Sequence, residues 1–356
     1  MDILVLPGDG IGPEIVGATV TALDALERRY ALGLALHHDA IGLGCLEKDG
    51  ATLTDAVLDR ARASDGTILG PVDTFVYPPL EDGGRNPSSE FRIALDLFAN
   101  IRPSYARPGV PCMAPGIDLV MVRENTEGFY ADRSMYKGIG EFQPDEDMAL
   151  SLRKITTRAS ARIAKVAFEL AATRRHKVTA IHKANALKLT DGLFLRTVRK
   201  VGEDYPGVEL EEVIVDAMAA LLIRDASRFD VILATNMFGD ILSDEAAELS
   251  GSLGLAASLN AGDERAVAQC VHGAAPDIAG LDVANPVAMM QSTAMLLDWL
   301  GSRDKKDGIR EAAAAFRAAV DTVAGDPARA TRDLGGKAGT RAFGLAVADE
   351  IASAGS

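Results

Sequence analysis

The sequence predicts an α/β fold with a buried sheet, because short apolar runs alternate along it with longer stretches of helical periodicity. A chain of 356 residues can bury a large core, and two lobes are expected. Its 48% hydrophobic and 25% charged residues match an ordinary globular enzyme.

Residues 3–6 read as a first strand, followed by a glycine-rich turn and a helix over about 13–29. Pro13 suits the first helical turn, where its missing N–H costs nothing. Residues 67–69, 119–122, 177–181, 212–215 and 231–234 read as further strands, and 160–172, 191–201 and 240–249 as helices between them. The tail is helical: 286–300, closing at Gly301, then 310–323 and 340–352. The polar segment 81–90 reads as a surface loop, and 131–148 as a projecting loop or hairpin. No internal repeat or low-complexity linker marks a domain boundary.

A net charge of -14 disfavours a nucleic-acid partner, which needs a basic surface. The one dense basic run, residues 174–177, reads as a solvated helix end. Cys45, Cys112 and Cys270 are too widely spaced for a disulfide framework or structural zinc site, which fits a reducing cytoplasm. The amino terminus has an acid where a signal peptide wants bases, and no apolar run approaches the ~20 residues that span a bilayer. A cytoplasmic protein is expected.

The turn LPGDGIGPE sits where a dinucleotide-binding fingerprint would, but the third glycine of that pattern falls at Pro13. An ordinary Rossmann site is therefore not expected; the helix N-terminus stays available to an anion. Asp240 and Asp244 lie four apart on one predicted helical face, and Asp216 follows a strand end. Asp240 and Asp216 could equally be helix caps, or with Asp244 the ligands of a hard divalent cation, Mg²⁺ or Mn²⁺. Arg92, Arg102 and Arg123 could hold a substrate with two carboxylates, or could be surface ion pairs. Lys183 leaves an apolar strand, where desolvation suits a base, although most lysines are simply solvated. Tyr130 is ambiguous by itself. His272 sits in the loop VHGAAPDIAG, where a lone histidine is usually structural. Asp277 could cap a turn or accept the two hydroxyls of an adenosine ribose, repelling a phosphate there.

Taken together, these blocks resemble the β-decarboxylating dehydrogenases: isopropylmalate, isocitrate, homoisocitrate and tartrate/D-malate dehydrogenases. The likeness runs through LPGDGIGPE, LDLFANIRP, VRENTEGFY, HKANALKLTDGLF, VDAMAALLIR, TNMFGDILSDEAAELSGSLGLA, VHGAAPDIAGLDVANP and DLGG. It implies a two-lobed fold with an extended sheet shared between lobes, not an ordinary Rossmann fold. One lobe would comprise residues 1–98 and 251–356 and hold the cofactor. The other, 99–250, would carry the dimer interface and an arm at about 131–148. The resemblance further implies Arg92, Arg102 and Arg123 as the clamp on a malate moiety. Tyr130 and Lys183 would be the catalytic pair, and Asp216, Asp240 and Asp244 the metal ligands. His272, Gly273, Ala274, Ala275, Asp277, Ile278 and Asn285 would form the NAD loop. NADP-preferring members tend to carry lysine-tyrosine at the positions of Asp277-Ile278. Lys183 and Asp216 would complete the site of the partner in a homodimer.

The implied reaction is oxidation of a 2-hydroxy acid at C2 by NAD, with metal-assisted loss of the C3 carboxylate. Isopropylmalate enzymes tend to place leucines before the position of Arg92. Here Asn86 and Ser88 stand there, the two polar types of isocitrate enzymes in reversed order. A polar C3 substituent is therefore expected, isocitrate-like, homoisocitrate-like or tartrate/D-malate-like, with 3-isopropylmalate the alternative. Phe91 is reminiscent of tartrate/D-malate members, and Arg85 could meet a distal carboxylate. A non-catalytic regulatory subunit is the alternative of another class, disfavoured because every catalytic and metal position is retained.

Overall fold

The computed structural model describes residues 1–130, 135 and 137–353. The segment 131–148 expected as an arm therefore lies partly outside the described residues.

The chain opens with β1 (Asp2–Leu6) and α1 (Gly12–Tyr30), then β2 (Ala35–His38), α2 (Leu43–Asp49), α3 (Asp55–Ala63), β3 (Gly66–Leu69) and α4 (Pro87–Ala94). It crosses the molecule in β4 (Ala99–Tyr105) and β5 (Asp118–Glu124), and forms a hairpin, β6 (Glu141–Asp145) with β7 (Met148–Ser151). There follow α5 (Thr157–Ala172), β8 (Lys177–His182), α6 (Thr190–Gly202), β9 (Glu209–Ile214), α7 (Val215–Asp225), β10 (Val231–Ala234) and α8 (Asn236–Leu249). The last part holds β11 (Leu259–Ala261), β12 (Ala266–Gln269), α9 (Val287–Asp304), α10 (Asp307–Ala324) and α11 (Thr340–Ser353).

One ten-stranded sheet runs through the molecule in the order β2-β1-β3-β12-β11-β4-β5-β10-β8-β9. Its outer parts are parallel; β4 is antiparallel to both β5 and β11, which joins the two halves. The strands buried on both faces, such as β10 and β3, are continuous apolar or near-apolar runs, as a helix-covered sheet requires. Two core clusters draw on the chain ends, around α1, α9, α10 and α11 and around α3. Two others draw on the middle, around α5 and α6 and around α7 and α8.

The expected strands and helices are present, with four corrections. Residues 87–94, half of them inside the expected loop, form α4, because Asn86 caps it by accepting from the Ser89 amide at 3.3 Å. The strand expected to end at Val215 ends at Ile214, and Asp216 lies in the first turn of α7. Helix α9 does not close at Gly301 but continues to Asp304, with Lys305 at φ 55° as its left-handed cap. The basic run is not merely solvated: Arg174 pairs with Asp118 and Asp230, and Arg175 with Asp118. Among the described residues no helix is long and apolar enough to cross a membrane.

Candidate active site

The residues read as a substrate clamp converge. Arg92, Arg102, Arg123 and Tyr130 line one cleft of about 270 Å³ together with Asn86, Ser88 and Asp240. Strand alternation explains why: Arg102 projects to one face of β4 while Ile101 and Pro103 project to the other, and Arg123 lies on the same face of β5. That face is covered by α8, so the arginines meet its acids. Arg102 donates to Ser243 Oγ at 2.7 Å, to Asn100 Oδ1 at 2.5 Å and to Asp244 at 3.3 Å, and pairs with Asp240 at 3.1 Å. Arg123 pairs with Asp240 and donates to Asn236 Oδ1.

Burial, followed by the adjacent Arg102, holds the Arg123 guanidinium well below its ordinary pKa. Burial likewise lowers Arg102, although Asp240 and Asp244 oppose it. With Arg92 also in the lining, three guanidiniums face the two carboxylates of Asp240 and Asp244, so the cleft is short of negative charge and suits an anion with several carboxylate oxygens.

Neither Asp240 nor Asp244 caps a helix. Helix α8 begins at Asn236 with Thr235 before it, which puts both acids within the helix, one turn apart. Burial raises the Asp244 pKa; Arg102 opposes this and Asp240 adds to it. A cation between the two carboxylates would relieve that cost, and an all-oxygen donor set suits a hard divalent ion. Asp216 is not with them. It pairs with Lys183 at an exposed surface outside the cleft, and among the described residues no single-chain cluster of three or more acids, histidines or cysteines could hold a metal.

The cleft continues into a second cavity of about 420 Å³, the two sharing His272 and Gly273. Ala275, Ile278 and Asn285 line it as well. Ala274 does not: it is buried, and its carbonyl accepts from the Ile11 amide at 2.8 Å. That contact binds the LPGDGIGPE turn to the loop, and a Cβ on Gly10 (φ 56°) would meet the Ala274 oxygen at 2.0 Å. Asp277 is exposed beside the cavity and outside its lining. Asp9 in the turn is a local organiser, accepting from the Leu43 and Asp73 amides and from the Tyr77 hydroxyl.

A family model described as isocitrate/isopropylmalate dehydrogenase matches residues 2–347. The chain belongs to this family. It is 40% identical to a 3-isopropylmalate dehydrogenase of Methanothermobacter thermautotrophicus, over 99% of this chain and 98% of that one. To an isocitrate/homoisocitrate dehydrogenase of Thermus thermophilus it is 41% identical, with the same coverage. The crystal structure of an isocitrate dehydrogenase from Methylococcus capsulatus superposes with a TM-score of 0.87 at 38% identity, covering 99% of each chain. As a member of the isocitrate/isopropylmalate dehydrogenase family, the chain is an oxidoreductase that decarboxylates a malate-type hydroxy acid in a metal-dependent reaction.

Set beside the family's hydroxy-acid chemistry, two features of the cleft add to the sequence reading. Gln269, at the end of β12, donates to Ser88 Oγ at 2.7 Å and lines the cleft beside it. Thr74 also faces the cleft, whereas Arg85 is held by Asp55 and Glu90. A glutamine after the apolar Ala266-Val267-Ala268 carries no signal in sequence; only the position of β12 between β3 and β11 brings it to the site.

Proposed function

We propose that the chain oxidises a malate-type 2-hydroxy acid with a polar C3 substituent, using NAD and Mg²⁺ or Mn²⁺, as a cytoplasmic homodimer with shared active sites. The observation that carries the substrate reading is the polar wall formed by Asn86, Ser88 and Gln269. An isopropyl group against it would leave polar groups unpaired, at about 1–3 kcal/mol each. Isocitrate-like, homoisocitrate-like and tartrate/D-malate-like acids satisfy that wall; 3-isopropylmalate does so poorly, although relatives carry that name.

The NAD reading draws on the second cavity. His272 Nε2 is buried with no hydrogen-bond partner among the described residues, as a ring awaiting a polar ligand atom would be. Asp277 stands at its edge, where a 2′-phosphate would be repelled. When bound, NAD would supply the acceptor for the hydride leaving C2, and a divalent ion would supply the positive charge that acidifies the C2 hydroxyl and draws electrons during decarboxylation. Arg92, Arg102 and Arg123 hold the two carboxylates of the malate moiety and fix its orientation. Lys183 of the partner subunit accepts the hydroxyl proton, and Tyr130 returns a proton to C3 after the carboxylate leaves. Asp240 and Asp244 would hold the ion with Asp216 of the partner.

The dimer reading has its own support. Lys183 and Asp216 lie outside the cleft of their own chain, and Ile223 of α7 and Ile241 of α8 are exposed apolar side chains. The lobes would divide as 1–98 with 251–356, and 99–250, in keeping with the four core clusters. Turnover of isocitrate, homoisocitrate, tartrate, D-malate and 3-isopropylmalate with NAD and Mn²⁺ tests the function. One polar acid should exceed 3-isopropylmalate in kcat/KM by at least about tenfold. Preference for 3-isopropylmalate would reverse the substrate reading.

A further inference from the structure

The sheet has a second hollow on its other face. Ile101, Pro103 and Tyr105 alternate with Arg102 along β4, so they point away from the catalytic cleft. With Val120 of β5 they floor a cavity of about 460 Å³, within the size range of small-molecule sites. Its walls come from α5 on one side and α9 and α10 on the other, and Met295 and Trp299 make it predominantly apolar.

Its polar groups are nearly all committed. Asp321 accepts from the Tyr105 hydroxyl at 2.9 Å, from Arg107 Nε at 2.9 Å and from Gln291 Nε2 at 2.8 Å. Arg174 is taken by Asp118 and Asp230, and Asp298 at the rim faces Arg310 at 3.5 Å. Arg317 is the exception. It lines the cavity half-buried, and among the described residues no carboxylate lies within ion-pair distance of it. Its charge is close enough to act on the Tyr105 phenol.

We propose that this reverse cavity binds a small aromatic or branched apolar monocarboxylate, with its carboxylate on Arg317 and its apolar body against Met295 and Trp299. Apolar walls supply affinity, and one uncompensated guanidinium supplies selectivity for a single negative charge. The site is separate from the catalytic arginines, which lie across the strand.

The protein carries its own reporter, since Trp299 is the one tryptophan of the chain. The test titrates 3-phenylpropionate into the full-length protein, following tryptophan emission with excitation where the phenyl probe does not absorb, and the probe-induced rise in Tm. The expected result is a saturable response. It should be at least about tenfold weaker for the neutral 3-phenylpropan-1-ol and for Arg317→Gln, and kept within a few-fold by Arg317→Lys. No saturable response, equal affinity for the alcohol, or equal affinity in Arg317→Gln would overturn the proposal. Equal affinity in Arg317→Gln would place the probe on the catalytic arginines. If Arg317→Gln does not fold, the acid-against-alcohol comparison on the unaltered protein decides.

Discussion

At the scale of single residues, selectivity turns on what faces the C3 substituent. Ser88 is held by Gln269, so the wall is a connected polar pair, while Asn86 spends its oxygen on capping α4 and keeps its amide N–H groups for the cleft. Ser88→Leu should orphan the Gln269 amide and present a branched apolar surface. The expected outcome is a loss of roughly tenfold to hundredfold in kcat/KM for the preferred polar acid, with 3-isopropylmalate improved relative to it. Steady-state kinetics on both acids checks this; an unchanged ratio removes Ser88 from the specificity wall. Asp240 on its helical face and Arg123 near the end of β5 were legible from pattern and resemblance together, whereas Arg92 in α4, Arg102 in the middle of β4 and Tyr130 in a turn were fixed by the resemblance. Gln269 was not legible, because its role exists only once β12 lies beside β3. The cap-or-ligand ambiguity of Asp240 needed the true start of α8, which lies at Asn236, one turn earlier.

At the scale of elements, the site depends on how closely α8 approaches β5. Gly239 makes that approach possible: a Cβ there would meet Arg123 Cβ and Cγ at 2.8 Å, and these atoms are close to the backbone and cannot swing away. Gly239→Ala should therefore lift α8 and shift Asp240 and Asp244 against Arg102 and Arg123. The expected result is a fall of at least tenfold in kcat/KM, and overpacking of about 1–3 kcal/mol that lowers Tm by a few degrees. Unchanged kinetics together with unchanged Tm would mean that the helix seat tolerates the methyl. Glycine also explains the misplaced end of α9. Gly301 was legible as a stop, yet a Cβ there would meet Arg310 Cγ at 2.6 Å, so its task is the close passage of α10. Helices such as α2, α3 and α4 escaped notice because they are short, and α4 is polar over much of its length.

At the scale of the whole molecule, one chain carries every piece of the proposed site but does not assemble it. Arg92, Arg102, Arg123, Tyr130 and Asp240 share the cleft, whereas Lys183 and Asp216 face each other elsewhere on an exposed surface. A two-fold dimer is isologous, so whatever one protomer lends its partner it also receives. This makes a complementation experiment decisive. Lys183→Met and Tyr130→Phe should each be nearly inactive alone, since each homodimer lacks one group in both sites. In a mixed dimer one site collects both defects and the other collects neither. After random re-assortment of equal amounts, about a quarter of all sites should regain full composition, and the regained activity should show the unaltered KM. Were each site built from a single chain, every site would keep its defect, and mixing would return no more than the sum of the two residual activities. A buried α/β sheet was legible from strand and helix alternation, but its passage through both lobes and the proposed division of labour between two chains were not: a single sequence supports these only through resemblance.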